Sequence, residues 1–315
     1  MTKHDRILVG IDGGEGGRAA LRHATEQARR SGADLWLVHV IDLAIATGVF
    51  YPYGYSGLAD QIREAGTGIL ARAEKAVAKH IGADRVTTTL RDGGVAAELV
   101  HAAADAAMVV LGDERHLSLA RVVTGSVTGK VASRAPVPVV VVPTAWTAVP
   151  DTHRVVVAVA DCDASTELVA RALREAADRD GELVVAHAWE VPAVYYETTL
   201  GQLDAAGWEA DARRRLAKTV ERARRLVPYA VGTEVRIEIH RGQAAQVLTQ
   251  ASRGADLLVV ARRGRAFPLR RLGGTGHALM RESACPVEVV PPAVEVHDES
   301  VVIDHPADRE HEAAR

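Results

Sequence analysis

Two short segments of this 315-residue chain carry residue types whose spacing could do chemistry. The first is Asp12-Gly13-Gly14-Glu15-Gly16-Gly17, directly after the apolar run Ile7 to Ile11. A carboxylate at a strand end accepts hydrogen bonds from hydroxyl or amine donors, and glycines let a ligand approach the backbone. An Asp that caps a turn or helix start has the same spelling. The run lacks the leading Gly-x-Gly of a dinucleotide fingerprint. The second segment is Gly112-Asp113-Glu114-Arg115, then nine residues, then Gly125-Ser126 at the head of a helical stretch from Val127 to Arg134. Free N–H groups and the dipole at a helix start favour an anion. Gly112, Gly125, Ser126 and Val127 therefore read as a phosphate cradle, with helix capping by Ser126 as the alternative.

These residues need a scaffold, and the chain spells it twice. Arg6 to Ile11 returns as Arg154 to Val159, 148 positions later. The same offset links His39 with His187, Gly94 with Gly242, Pro138 with Pro286 and Pro143 with Pro291. A period this long is a whole domain. The expected organisation is a first domain over 1–147, a second over 148–295, and an acidic tail over 296–315 without aromatic residues, read as disordered. In copy one, strands are predicted at Ile7–Ile11, Leu35–Val40, Val86–Leu90, Met108–Leu111 and Val137–Val142. Helices are predicted at Arg18–Arg30, Leu58–His80, Val95–Ala106 and Val127–Arg134. Copy two follows with strands near Val155–Val159, Leu183–His187, Val235–His240, Leu257–Val260 and Pro286–Val290. Continuous apolar strands alternating with helices predict an α/β chain of two tandem Rossmann-like domains, each a five-stranded parallel sheet sandwiched by helices. Ligands of such sheets sit beyond the carboxyl ends of the strands.

Copy two changes the chemistry. Ala160 takes the place of Asp12, with Asp161 and Asp163 close by. Ala261 takes the place of Gly112, and Gly264 stands where copy one has Arg115. The helix-start pair is Gly273-Gly274 by helix register or Gly274-Thr275 by motif spacing. The intervening loop carries Arg262, Arg263, Arg265, Arg270 and Arg271, which reads as an anion site or as a solvated basic loop. Phe267 is its one aromatic residue, so base stacking on nucleic acid is not expected. Val49 to Tyr55 gathers four aromatics after strand two, either over the ligand site or packed on itself. Tyr195 and Tyr196 occupy the comparable loop. His39 and His187 read as satisfied strand-end histidines rather than metal ligands. Cys162 and Cys285 read as inert thiols.

Composition narrows the class further. Lys and Arg number 38 against 41 Asp and Glu, which argues against a dedicated nucleic-acid binder. The start has no apolar h-region and no apolar run approaches a bilayer's thickness, so a soluble, cytoplasmic protein is expected. HExxH, Gly-x-Ser-x-Gly and Walker A are absent from the sequence, and no triad stands out, so the chain does not read as an enzyme.

With Asp12, Gly112 and Gly125-Ser126 in this order, and Ala135 to Pro143 as a closing strand, the chain resembles the universal stress protein family in tandem form. The resemblance covers roughly residues 5–143 and 153–291. It departs at Arg115, where ATP-binding members have a second Gly. The resemblance implies ATP, with Mg2+, as ligand. Asp12, Gly13 and the backbone of Val40 would meet adenine and ribose, and the loop with Gly125, Ser126 and Val127 would hold phosphates. Arg115 would either crowd that loop or reach the phosphates as a cation. In copy two the matching positions are Ala188, Gly264, Gly273, Gly274 and Thr275, and the lost Asp implies weaker binding. The implied role is non-catalytic and regulatory, with weak ATP hydrolysis at most. The alternative is a nucleotide-independent interaction protein. An ATP-using enzyme on this sheet would need a Ser-Gly-Gly-x-Asp-Ser-like loop, which Asp12 to Gly17 does not supply. Val137–Val142 and Val287–Val290 are expected to pair the two halves as an internal pseudo-dimer, and a homodimer of chains is a further possibility.

Overall fold

The computed structural model describes residues 6–42, 57–113, 127–147, 152–190, 205–262 and 272–292. Copy one runs β1 (Arg6–Gly10), α1 (Glu15–Ser31), β2 (Asp34–Ile41), α2 (Leu58–Ile81), β3 (Val86–Asp92), α3 (Val95–Ala103), β4 (Met108–Gly112), α4 (Val127–Arg134) and β5 (Val139–Val142). Copy two runs β6 (Arg154–Ala158), α5 (Thr166–Ala177), β7 (Glu182–Trp189), α6 (Ala205–Leu226), β8 (Val235–Arg241), α7 (Ala244–Ala251), β9 (Leu257–Ala261), α8 (Gly274–Glu282) and β10 (Val287–Val290). Expected elements that the structure shifts have identifiable causes. Helix α1 begins at Glu15 rather than Arg18, so Gly16 and Gly17 lie in its first turn and not in a loop. Strand β5 begins at Val139 rather than Val137, because Pro138 has no N–H to donate and offers only its carbonyl, to Val109 N. Helix α3 stops at Ala103, where its last turn tightens into i→i+3 bonds through Ala106.

Within each copy the five strands are parallel, in the orders β3-β2-β1-β4-β5 and β8-β7-β6-β9-β10. The halves join where β5 and β10 pair antiparallel, giving one ten-stranded sheet. In that pair Val140 stands opposite Glu288. These positions are 148 apart, so the pseudo-twofold axis passes through them. The antiparallel junction points the carboxyl edges of the two half-sheets in opposite directions, so the two candidate sites lie on opposite edges of the molecule.

The two faces of the sheet are built differently. On one, a single apolar core runs through both copies, from Leu8, Val38 and Leu111 through Val139 and Val141 to Val287, Val289 and Leu258. Arg262, directly after β9, crosses from copy two and donates to the carbonyls of Ala132 (3.3 Å) and Ala135 (2.8 Å) at the end of α4. On the other face two separate cores form, one under α1 and α2 and one under α5 and α6. Between them lies a buried polar seam. Arg171 bonds Glu175 (2.6 Å) and Glu288 (2.9 Å), and Arg179 bonds Glu175 (2.5 Å). Gln27 of copy one donates to Glu175 (3.3 Å) and accepts from Arg179 (3.0 Å). Burial pushes Glu175 up, but Arg171 and Arg179 outweigh it and hold the carboxyl below its usual value. Burial raises Glu288 despite Arg171.

His23 lies in the same seam, edge-on to Trp146 at 5.3 Å. Burial, then the nearby Arg179, lower its pKa from 6.5 to about 3. An unfolded chain therefore takes up a proton near pH 6.5 that the folded chain refuses, so stability is full above that pH and falls as pH drops toward 3. Thermal melts between pH 7.5 and 5, above the carboxylate range, should show this loss at up to ~1.4 kcal/mol per pH unit. H23L should flatten the slope; an unchanged slope in H23L would show that another group carries it.

Candidate functional site

In copy one the site is assembled at the carboxyl edge around β1. The chain winds from β1 to β2 on one side and returns to β4 on the other, so the end of β1 is the topological switch point. Ile11 N still bonds Val38 O (2.9 Å), and the chain then turns at Gly13, whose φ of 82° suits glycine. Asp12 is exposed. Its Oδ1 accepts from Gly14 N at 2.8 Å, and its Oδ2 meets no donor among the described residues. Asp12 is thus not the helix cap; Gly14 is, without a side-chain bond. His39 fixes the loop from the neighbouring strand, its Nδ1 2.6 Å from Ile11 O. A ring nitrogen facing a carbonyl must be the donor.

The glycines have structural work at this edge. A Cβ on Gly17 would lie 2.5 Å from Asp12 Oδ1, and one on Gly16 would lie 2.7 Å from Asp113 O. A Cβ on Gly112 would lie 2.2 Å from the carbonyl carbon and oxygen of Gly16. Helix α1 therefore enters in backbone contact with the end of β4, which only paired glycines permit. Thr128 of α4 donates to Gly112 O (3.2 Å), and Thr144 donates to Asp113 O (3.0 Å). Asp12, Gly13, Gly112 and the start of α4 at Val127 thus share one edge. Val40 lies inside β2 rather than after it, because β3 holds the strand through Ile41. Val38 O faces β1, and the two-residue alternation turns the peptide groups of Val40 to the same side, past the end of β1. Arg115, Gly125 and Ser126 lie outside the described residues, as does the aromatic segment Val49 to Tyr55.

Copy two presents a different arrangement at the equivalent edge. Ala160 is exposed where Asp12 stood. Asp161 Oδ1 accepts from the N–H groups of Asp163 (2.9 Å) and Ala164 (3.2 Å). Asp163 is clasped by Arg215 of α6 through Nε (3.0 Å) and Nη2 (2.5 Å). That hydrogen bond holds the Asp163 carboxyl below its ordinary value. The Arg215 side chain, with Cys162, His187, Trp208 and Asp211, lines a cavity of about 250 Å³. Trp208 is stacked on His187 (6.2 Å between ring centres) and packs on Trp189 (4.9 Å). His187 Nδ1 bonds Val159 O (2.8 Å), repeating the His39 contact. Ala188 lies inside β7, for the same reason as Val40 in β2. Gly273 caps α8, which begins with Gly274 and Thr275. Gly264, Arg263, Arg265, Phe267, Arg270, Arg271, Tyr195 and Tyr196 lie outside the described residues, as does the tail 296–315. Both cysteines are buried free thiols, and burial pushes Cys285 up to about 12.

Arg215 and Trp208 are the residues that the repeat offset of 148 hides. Buried positions align α2 with α6 at 146 instead: Gly66 with Ala212, Leu70 with Leu216, Val77 with Ala223. On that register Arg215 replaces Ile69, the side chain that packs against Gly13 in copy one. The hydroxyls of Thr128 and Thr144 give no spacing signal, since each serves a single carbonyl.

The chain is a tandem pair of α/β domains with a switch-point loop on each carboxyl edge. The universal stress protein family model matches residues 3–143 and 152–291. The chain is 31% identical over 294 residues to a universal stress protein of Mycobacterium tuberculosis, covering 91% of this chain and 97% of that one. It is 30% identical over 293 residues to one of Mycolicibacterium smegmatis, with the same coverage. In structure it is similar to a universal stress protein from Archaeoglobus fulgidus, with a TM-score of 0.65 over 93% of this chain and 98% of that chain at 18% identity. The chain belongs to the universal stress protein family.

The contact between Gly112 and Gly16 is backbone on both sides, so neither partner can rotate away. G112A should cost about 1–3 kcal/mol and lower Tm by several degrees. G94A is the control, since a Cβ there meets nothing within 4 Å among the described residues. Equal melting curves for the two variants would mean that the approach of α1 to β4 is loose.

Proposed function

We propose that the chain is a non-catalytic regulatory protein that binds an adenine nucleotide, ATP, in copy one. The observation that carries this reading is Asp12: an exposed carboxylate at the switch point, with one oxygen unpartnered among the described residues and the peptide groups of Val40 facing the same side of β2 as the end of β1. A ribose hydroxyl or an exocyclic amine is the donor such an oxygen accepts. The start of α4, tied to Gly112 O through Thr128, offers N–H groups on the same edge for phosphates. Arg115, Gly125 and Ser126 are proposed as the remaining phosphate contacts, and Gly13 as the place where the backbone admits the ligand. Among the described residues no group of three His, Cys, Asp or Glu could hold a metal. Mg2+ on this reading arrives on the phosphates. No helix among the described residues is long and apolar enough to cross a membrane.

In copy two, Ala160 replaces the switch-point acid and the neighbouring Asp163 is already paired with Arg215. Copy two is therefore proposed as a partner domain rather than an equal site, so Ala188, Gly264, Gly273, Gly274 and Thr275 contribute little affinity. Titration calorimetry on the full chain should give one ATP per chain. D12A should weaken it by roughly 10-fold or more, the worth of a charge-assisted hydrogen bond. No binding at millimolar ATP would favour the nucleotide-independent reading, and unaltered binding in D12A would move the site elsewhere.

A further inference from the structure

The polar seam between α1 and α5 has an unusual relation to the repeat. The four charged residues joined by its ion pairs belong to copy two: Arg171, Glu175, Arg179 and Glu288; Arg30 of copy one adds a nearby positive charge at His23. Subtracting 148 gives the copy-one residues at the same positions: His23, Gln27, Ser31 and Val140. All four are neutral, His23 because burial holds its pKa near 3. In a twofold pairing residue i meets j and j meets i, and positions at the axis meet their own equivalents. Two of the four positions lie there: Gln27 bonds Glu175, and Val140 faces Glu288.

We propose that these four positions form a pairing code, in which the charged face of copy two accepts the neutral face of copy one and rejects a second face like its own. The chemistry of each contact supports this. Gln27 offers an amide, so one side chain donates to Glu175 and accepts from Arg179 at once. A glutamate there would set acceptor against acceptor. Val140 lets a fully buried carboxylate stand across the axis with no like charge opposite. One oxygen of Glu288 has no hydrogen-bond partner among the described residues, so a second glutamate at the dyad would add charge where no donor waits. Like charges directly opposite in a sheet destabilise, and buried unpaired charges cost far more. Two neutral faces carry no such conflict: valine would meet valine and glutamine would meet glutamine. The code is therefore enforced from copy two alone. Its partner is the neutral face of copy one, and the copy-two face of another chain is excluded.

Two full-length variants test this by making the faces alike. H23R/Q27E/S31R/V140E puts the charged set on both sides, and R171H/E175Q/R179S/E288V puts the neutral set on both. Solution scattering should show the charged pair opened, with a larger radius of gyration, while circular dichroism retains the α/β signal. The neutral pair should keep the wild-type radius. Equal radii for both variants, or opening of the neutral pair alone, would overturn the code. If the charged variant fails to fold, the dyad is read by single substitutions. V140E should melt at least about 5 °C below V140K, and V140E/E288Q should recover most of the difference. V140E melting level with V140K, or no recovery in the double variant, would show that the seam does not sense charge.

Discussion

Everything about this molecule depends on four residues of β5 meeting four residues of β10. A five-stranded parallel half-sheet ends in a strand whose outer N–H and C=O groups need partners. Val139 to Val142 and Val287 to Val290 are apolar and buried, apart from Glu288 in polarity and Val290 in depth, so water cannot supply those partners. The antiparallel pair satisfies them and covers the β5 edge of one copy and the β10 edge of the other at once, leaving β3 and β8 as the outer edges. It also sets the register that puts Val140 against Glu288, merges the core on one face and divides it on the other. The opposite orientation of the two carboxyl edges follows from the same pair, and with it the separation of the candidate sites.

Below that level, divergence of the copies traces to backbone clearance. Gly16 and Gly112 touch through their backbones, so α1 begins early and its first turn lies beneath Asp12. The corresponding residues of copy two are Ala164 and Ala261, and two methyl groups do not fit the same approach. Helix α5 starts at Thr166, three residues later than the repeat would place it. The residues released form the turn in which Asp161 holds two backbone N–H groups and Asp163 extends to Arg215. Loss of the switch-point acid and closure by arginine are thus one structural change seen from two sides.

The sequence was most legible where a pattern is both local and repeated. Continuous apolar runs located all ten strands and pointed to the last strand of each copy as the join, and the 148-residue offset matched His39 with His187, which lie inside β2 and β7 rather than at their ends. Asp12 and Gly112 stood out because each directly follows an apolar strand, and copy two has alanine at both positions. The start of α1 was hidden because glycines in a first turn look like a loop, and their reason, the contact with β4, is tertiary. Arg215 and Trp208 were hidden by a two-residue change of register before α6. The polar seam was spelled out at the same offset, yet a charged residue on a helix usually signals a solvated face. Only the packing of α1 beside α5 shows Glu175 and Arg179 to be interior.

Because the candidate sites lie on opposite edges, no ligand can span them, and any influence of one copy on the other must pass through shared structure. Several connections cross between the copies among the described residues. The β5–β10 pair is buried and symmetric in backbone, so it transmits little that differs between the copies. The polar seam is asymmetric, through Gln27 with Glu175 and Arg179, and so is Arg262. It follows the last residue of β9, at the root of copy two's basic loop, and its guanidinium holds the carbonyls that end α4. A cation at a helix carboxyl terminus complements the dipole, and the other end of this eight-residue helix is where copy one would receive an anion. Copy one has Asp113 at the matching position, a side chain that would oppose rather than favour a helix carboxyl end. The physical connection therefore runs from copy two toward copy one, which is the direction expected when one domain retains the open switch-point acid and the other has closed around an arginine.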